Sequence, residues 1–326
     1  MYARAAMSLL GLVALVLLCW PGEAHAWGPV THLVHGSQIL EHLSSLSPAL
    51  QEILGRNRLP YLYGCLAADI THAKKYTRSL YTHCHCWPVG WQIVESAGTE
   101  REEAFAWGYV SHLAADVLSH NHFVPAQLVV SFESRPLRHI YWEARFDSAQ
   151  RRDRWRLLRS VLDHRYVDCD RLVERVVERT LFSFRTNKRI FASVMALQQA
   201  EQWQLMMRGL GARSRYPLPA SEVERFNGLC AAAIQDLLVH GRQSACQAAD
   251  PTGREALARA AALRRKLRSL KRRGHLPDAV RAQLEALRPS ASRRRSAHAA
   301  ERRTRRRAPA TAHDPVEDTP GDLVLG

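Results

Sequence analysis

The stretch WGYVSHLAADVLSHNHF, residues 107–123, decides both the fold and the chemistry expected of this chain. Its apolar residues recur at three- and four-residue spacing, which is typical of the buried face of an α-helix. His112 and Asp116 are four residues apart, so their side chains share one face, about 40° apart around the helix axis. An imidazole and a carboxylate at this spacing can bind one zinc ion. The stretch therefore predicts a helix that carries metal ligands.

Two more histidines follow in the same stretch. On an ideal helical wheel, His120 and His122 lie about 80° to either side of His112. They cannot both bind the same ion as His112 by helix geometry alone. The wheel therefore leaves open which of them is a ligand of another ion.

Other candidate ligands lie on both sides of this helix. His139 and Glu143 repeat the four-residue spacing in RHIYWEARF, Asp69 ends the apolar run YLYGCLAAD, and His83 begins the HCHC of YTHCHCW. His32 lies near the start of the chain. Each motif alone is more typical of a surface pair or a buried hydrogen bond than of a metal site. Their occurrence together in one segment favours a metal centre.

The first 26 residues have the pattern of a secretory signal peptide. An apolar run, residues 8–20, precedes a Pro-Gly break and the small-x-small triplet AHA at residues 24–26. A membrane anchor is the alternative, but this run is shorter than the roughly 20 residues that a spanning helix needs. We expect cleavage after Ala26, a mature chain that begins at Trp27, and a secreted or periplasmic protein.

The rest of the chain is expected to be all-α. It is 46% hydrophobic and 24% charged, an ordinary globular balance. Helical spacing of apolar residues covers 33–54, 102–118, 155–177, 190–207, 220–238 and 255–270. Few alternating runs appear, and residues 123–132 form a short run interrupted by proline, which does not define a sheet.

Composition divides the chain into four segments. They are a signal peptide (1–26), a helical domain (27–250), a basic helical extension (251–288) and an Arg-rich tail (289–326) that lacks the apolar content to pack and is expected to be disordered. Residues 251–326 contain 19 Lys or Arg and 8 Asp or Glu, so they hold most of the net charge of +15. This charge suits anionic lipid headgroups and nucleic acid equally.

Six cysteines remain after removal of the signal peptide, and an even number in an exported protein favours disulfides. The pairing cannot be read from the sequence. The HCHC motif also permits a zinc site with thiolate and imidazole ligands.

In order and spacing, these motifs resemble the zinc-dependent phospholipases C of bacteria, which share an all-helical fold around three zinc ions with the S1/P1 nucleases. The matching motifs cover residues 27–145, and the helical content extends the match to residue 245. The resemblance implies a ligand set of Trp27, His32, Asp69, His83, His112, Asp116, His122, His139 and Glu143.

The resemblance also distributes these ligands among three ions. One zinc is held by His83, His112 and Asp116, and Asp69 is either a further ligand or the base that orients the attacking water. The second is held by the amino nitrogen and carbonyl oxygen of Trp27, by His32 and by a bridging oxygen of Asp116. The third is held by His122, His139 and Glu143. His35 and His120 are left as supporting or surface residues, and only spacing argues against His85 in place of His83.

The implied reaction is hydrolysis of a phosphodiester by zinc-activated water, without a covalent nucleophile. Glu143 and the Asp69 to His83 separation resemble the phospholipases, whereas the short Trp27 to His32 interval resembles the nucleases. We therefore expect a phospholipase C that cleaves phospholipids to diacylglycerol and a phosphorylated headgroup. An S1/P1-type single-strand nuclease and a non-catalytic, zinc-stabilised binding protein are the alternatives. The expected partners are a phospholipid membrane surface and, through the basic tail, nucleic acid; the protein is expected to be a monomer.

Overall fold

The computed structural model describes residues 27–70, 84–134, 139–177, 183–199 and 201–280. Within these ranges every regular element is helical and no strand is present, which confirms the all-α prediction. The described residues belong to one compact unit. No helix among them is long and apolar enough to span a bilayer. The predicted signal peptide and Arg-rich tail lie outside the described residues, and the predicted domain boundaries stay a prediction.

Thirteen α-helices lie within these ranges. They are α1 (Pro29–Glu41), α2 (Pro48–Arg56), α3 (Arg58–Ile70), α4 (Trp87–Glu95), α5 (Glu100–Leu118), α6 (Val124–Val130), α7 (His139–Ala149), α8 (Arg152–Asp163), α9 (Val167–Val176), α10 (Phe184–Gln199), α11 (Glu201–Arg213), α12 (Ala220–His240) and α13 (Arg254–Arg272). A single π-helical segment, Ser119–Phe123, joins α5 to α6 and is called the π-turn below.

Several predicted helices are divided in the structure. The predicted helix over 33–54 is α1 and α2, because Ser47 caps a new helix whose first residue is Pro48. The predicted helix over 155–177 is α8 and α9, which are separated by extended backbone at His164. The run over 123–132, which does not alternate as a strand would, forms the last residue of the π-turn followed by α6.

Helix α5 begins at a capping box that is encoded locally. The Thr99 hydroxyl oxygen accepts a hydrogen bond from the Glu102 backbone N–H (3.2 Å), and the Glu102 carboxylate accepts one from the Gly98 N–H (2.9 Å). Glu100, Glu102 and Glu103 place negative charge in the first turn, where the helix dipole favours it. The start of α5 is therefore fixed by its own sequence.

The crossing of α3 and α5 brings their backbones into contact at two glycines. A Cβ atom added to Gly64 would lie 2.0 Å from the Phe105 carbonyl oxygen, and one added to Gly108 would lie 2.0 Å from the Tyr61 carbonyl oxygen. No side chain fits between the helices at this point. The close crossing places the end of α3, which carries Asp69, beside the end of α5.

The first turn of α1 is anchored by a buried carboxylate from α7. Asp147 accepts hydrogen bonds from the backbone N–H groups of Val30 (3.2 Å) and Thr31 (2.9 Å) and from the Thr31 hydroxyl (2.5 Å). Burial has the larger effect on the pKa of Asp147 and raises it to about 7, although the hydrogen-bond donors lower it. This contact fixes the amino-terminal end of α1, one residue before His32.

Four of the six cysteines expected to form disulfides are buried free thiols. These are Cys65, Cys169, Cys230 and Cys246. The structure therefore does not bear out the disulfide expectation for them. Burial raises the pKa of Cys65 and of Cys169 to about 12, so neither is a reactive thiolate at neutral pH. The four behave as core residues.

Candidate metal centre

Histidine and carboxylate side chains form two clusters near the carboxyl-terminal end of α5, beyond its crossing with α3. The first cluster consists of His32, Asp69, His85, His112 and Asp116. The second consists of His120, His139 and Glu143. Within the first cluster, two overlapping sets of three residues each bring their ligand atoms within 4.8 Å of one another, as do the three residues of the second. Such groupings have the geometry of metal sites.

Asp116 lies at the centre of the first cluster. One carboxylate oxygen, Oδ1, lies 3.3 Å from His32 Nε2. The other, Oδ2, lies 3.2 Å from His112 Nε2 and 3.4 Å from His85 Nε2. Asp116 is fully buried, and neither oxygen has a hydrogen-bond partner among the described residues. Its two oxygens face different imidazoles, which is the arrangement of a carboxylate that bridges two ions.

The ring of His112 is oriented by a backbone carbonyl. His112 Nδ1 lies 2.9 Å from the Cys65 carbonyl oxygen of α3, which can only accept a hydrogen bond. The proton of the neutral ring therefore resides on Nδ1, and the lone pair on Nε2 points toward Asp116 and His85. A carbonyl in this role fixes the tautomer that metal binding needs.

His85 and Asp69 complete the first cluster. His85 Nε2 lies 3.2 Å from Asp69 Oδ1 and 3.1 Å from His112 Nε2, and Asp69 Oδ1 is 4.0 Å from His112 Nε2. Both side chains are buried. His83, the ligand expected from spacing, lies outside the described residues. Among the residues that the structure describes, His85 is therefore the histidine of the HCHC motif that reaches the cluster.

The charges of the first cluster suit a metal ion. Burial opposes ionisation of Asp116, yet His112 and His32 hold its pKa well below the usual range. Burial lowers the pKa of His32, and His112 lowers it further. For His112 burial acts in the same direction, but Asp116 and Asp69 outweigh it and raise the pKa. An ionised carboxylate and a neutral imidazole are the metal-binding forms of these side chains. Asp116 and His32 are shifted toward these forms, whereas the raised pKa of His112 favours its cationic ring, whose Nε2 proton a bound metal ion would displace.

The second cluster contains His120, which corrects the assignment of His122. His120 is fully buried, and its ring lies 4.9 Å from the ring of His139 between centroids. His139 Nε2 lies 2.7 Å from Glu143 Oε1. His122 is exposed and belongs to neither cluster. The helical wheel did not distinguish the two histidines because it assumes the rotation of an α-helix. Residues 119–123 form the π-turn instead, which has more residues per turn.

The loop before α13 holds His120 in place. His120 Nδ1 lies 2.5 Å from the Pro251 carbonyl oxygen, so this nitrogen carries the proton. His120 Nε2 is buried and has no hydrogen-bond partner among the described residues. Gly253 has a φ of +55° and packs against His120, where a Cβ atom would lie 2.4 Å from the His120 carbonyl oxygen. The segment that begins the basic extension is thus part of the second cluster's support.

Trp27 and His35 lie next to the first cluster. The Trp27 indole donates a hydrogen bond to the Ala115 carbonyl (3.0 Å), one residue before Asp116, and is fully buried. His35 Nε2 lies 3.1 Å from Asn227 Oδ1, and burial lowers its pKa to about 3. Trp27 therefore anchors the start of the described chain beside Asp116, while His35 is a neutral, buried residue that supports α1.

Both clusters fit zinc. Their donors are imidazole nitrogens and carboxylate oxygens, which are common zinc ligands. Both oxygens of Asp116, His32 Nε2 and His120 Nε2 are buried without a hydrogen-bond partner among the described residues. Each such atom costs about 1–3 kcal/mol if it stays unsatisfied. A cation at each cluster would remove this cost.

Residues 31–189 match the family model described as zinc dependent phospholipase C. This part of the chain is similar to the zinc-dependent phospholipases C. The match contains all residues of both clusters and ends before the loop at Pro251. No curated protein and no solved structure shows a significant match to the chain.

The match to the zinc-dependent phospholipase C family model confirms the resemblance read from the motifs. The structure brings together six of the nine expected ligands in the two clusters: His32, Asp69, His112, Asp116, His139 and Glu143. It adds His85 and His120, which the sequence offered only as competitors. His120 is identified by its contact with the Pro251 carbonyl, which residue spacing along the sequence does not show.

Loss of His120 and loss of His122 are expected to have different consequences. His120→Ala removes a buried ligand atom of the second cluster, so we expect about one fewer bound zinc per chain, measured by elemental analysis of the purified protein. His122→Ala alters an exposed side chain and is expected to leave the zinc content unchanged. Circular dichroism of both variants controls for folding. The assignment would be contradicted if His122→Ala lowered the zinc content and His120→Ala did not.

Proposed function

We propose that this protein is an exported zinc-dependent phosphodiester hydrolase, and specifically a phospholipase C. The observation that carries the proposal is Asp116, whose two buried oxygens face His32 on one side and His85 and His112 on the other. The family match over residues 31–189 supports this reaction class.

The residues of the first cluster would hold two zinc ions, and those of the second cluster a third. When bound, zinc lowers the pKa of a coordinated water and neutralises charge on a phosphoryl oxygen. Trp27 would supply its amino nitrogen once the signal peptide is removed, because a free amine can donate a lone pair and a peptide nitrogen cannot. The indole contact with the Ala115 carbonyl supports this position.

The protein's own side chains have distinct tasks in this proposal. Asp116 supplies the shared negative charge, and the carbonyls of Cys65 and Pro251 keep His112 and His120 in the tautomers that present Nε2. Asp69 keeps the two roles expected from the sequence, as a ligand or as the base that orients water. Burial excludes bulk water from the first cluster and strengthens its electrostatic interactions.

The net reaction is simple. The oxygen of water forms a bond to phosphorus, and the bond between phosphorus and the glycerol oxygen breaks. The glycerol oxygen leaves as the hydroxyl of diacylglycerol with one proton from the water, and the phosphorylated headgroup is released. No side chain becomes covalently modified.

The deciding experiment compares three substrates with the zinc-loaded chain that begins at Trp27. The substrates are phosphatidylcholine vesicles, single-stranded DNA and a soluble chromogenic phosphodiester. We expect release of phosphocholine, loss of this activity with a chelator and recovery with added zinc. Release of nucleotides without phosphocholine would instead identify a nuclease, and bound zinc with no hydrolysis of any substrate would identify a non-catalytic zinc protein.

A further inference from the structure

Helix α13 has one face that packs on the protein and one that is strongly basic. Its packed face contains Ala256, Ala260, Arg264 and Leu267. Leu267 joins Phe132 in a small apolar cluster, and buried Arg264 donates a hydrogen bond to the Ser134 carbonyl (2.9 Å). The second half of the helix is therefore attached to the segment that follows α6.

Five cations lie on the other side of α13. We call them the basic strip: Arg254, Arg265, Lys266, Arg268 and Arg272, all of them exposed. None has a carboxylate within ion-pair distance among the described residues. The remaining cations of the helix differ, because Arg259 pairs with Glu255 (3.1 Å) and Lys271 with Glu133 (2.7 Å). The helix thus concentrates uncompensated positive charge on its outward face.

The strip has a fixed position relative to the metal centre. Its helix starts directly after the Pro251 to Gly253 loop, which contacts His120. The positive φ of Gly253 and its close approach to His120 leave no room for a larger residue. The amino-terminal end of the strip, at Arg254, therefore adjoins the loop that supports the second cluster.

We propose that the basic strip binds the anionic surface of a phospholipid bilayer and so holds the enzyme on its substrate. Uncompensated arginines match anionic headgroups in charge. A bilayer is favoured over a nucleic acid because the proposed substrate of this enzyme is itself a phospholipid. This inference deepens the proposed function, since it assigns the lipid-contacting surface of the same site.

The test measures binding separately from catalysis. The variant Arg265→Gln/Arg268→Gln/Arg272→Gln, in the zinc-loaded chain from Trp27 to Gly326, is mixed briefly in the cold with vesicles of phosphatidylcholine containing phosphatidylserine, and bound protein is separated by flotation. Each basic side chain near such a surface contributes about fivefold to partitioning, so the triple variant is expected to bind about 100-fold more weakly. Hydrolysis of the soluble phosphodiester is expected to stay at the wild-type rate.

A matched control removes the same charge elsewhere. Arg152→Gln/Arg156→Gln/Arg189→Gln changes three exposed arginines of α8 and α10 and is expected to bind vesicles like the wild type. Equal loss in both triple variants would assign binding to net charge and overturn the proposal. Unchanged vesicle binding of the strip variant would also overturn the proposal. The same holds if the variant binds single-stranded DNA more weakly but still binds vesicles like the wild type. Failure of the wild type to hydrolyse the soluble substrate would refute the proposed function, while the vesicle result would still decide the role of the strip.

Discussion

Replacement of Asp116 by asparagine is expected to remove both metal binding at the first cluster and hydrolysis of phosphodiesters. The amide keeps the shape of the side chain but loses the negative charge. In the wild type, imidazole nitrogens lie 3.2–3.4 Å from the carboxylate oxygens of Asp116. In the variant, the NH₂ group would take the place of one of these oxygens. Residues that only support a ligand typically contribute 10- to 100-fold to activity or affinity. A shared ligand should exceed this, so we expect activity to fall by more than about 100-fold, together with loss of about two zinc ions per chain.

Elemental analysis and turnover of a soluble phosphodiester check this prediction together. Asp163→Asn is the matched control, because it makes the same chemical change at an exposed position of α8. It should leave both quantities unchanged. A folded Asp116→Asn variant with a wild-type zinc content would show that Asp116 is not a shared ligand.

Gly108→Ala is expected to destabilise the fold more than a single methyl group normally does. The new Cβ atom would lie 2.0 Å from the Tyr61 carbonyl oxygen, and neither backbone can yield without moving a helix. Overpacking typically costs 1–3 kcal/mol, and contact with rigid backbone places this case at the upper end, at about 3 kcal/mol. Because the displaced helices carry Asp69 and Asp116, we also expect weaker zinc binding.

Urea unfolding of metal-free and zinc-loaded protein measures both effects. Gly228→Ala is the control, since Gly228 is an exposed residue within α12 with nothing within 4 Å of an added Cβ. There alanine should stabilise the helix by up to about 1 kcal/mol. Equal unfolding midpoints for Gly108→Ala and the wild type would mean that the crossing of α3 and α5 is looser than the structure indicates.

Apolar spacing predicted which regions are helical, whereas the short signals that begin individual helices were not used in the prediction. The Thr99 to Glu102 capping box starts α5, and Ser47 with Pro48 starts α2. The four-residue spacing of His112 and Asp116 correctly placed both on one face. The divided helices were harder, because apolar spacing alone does not reveal a short extended link such as the one at His164.

Spacing was a weaker guide where two histidines compete. His120 and His122 are equivalent on an α-helical wheel, and the choice depends on the π-turn, which the wheel does not contain. His83 and His85 differ by two residues in a segment without helical periodicity. Only the placement of His85 beside Asp69 and His112 identifies it as a member of the first cluster.

The sequence by itself determined the helical class, the family and most of the candidate ligands. These depend on short-range spacing and on motifs that keep their order along the chain. Among the described residues, the tertiary structure alone showed that His85 and His120 lie in the two clusters and what holds the tautomers of His112 and His120, because these features depend on contacts between distant segments. The Pro251 carbonyl that orients His120 lies 131 residues away in the chain. Composition marked that loop as a boundary, and packing made it part of the support of the metal centre.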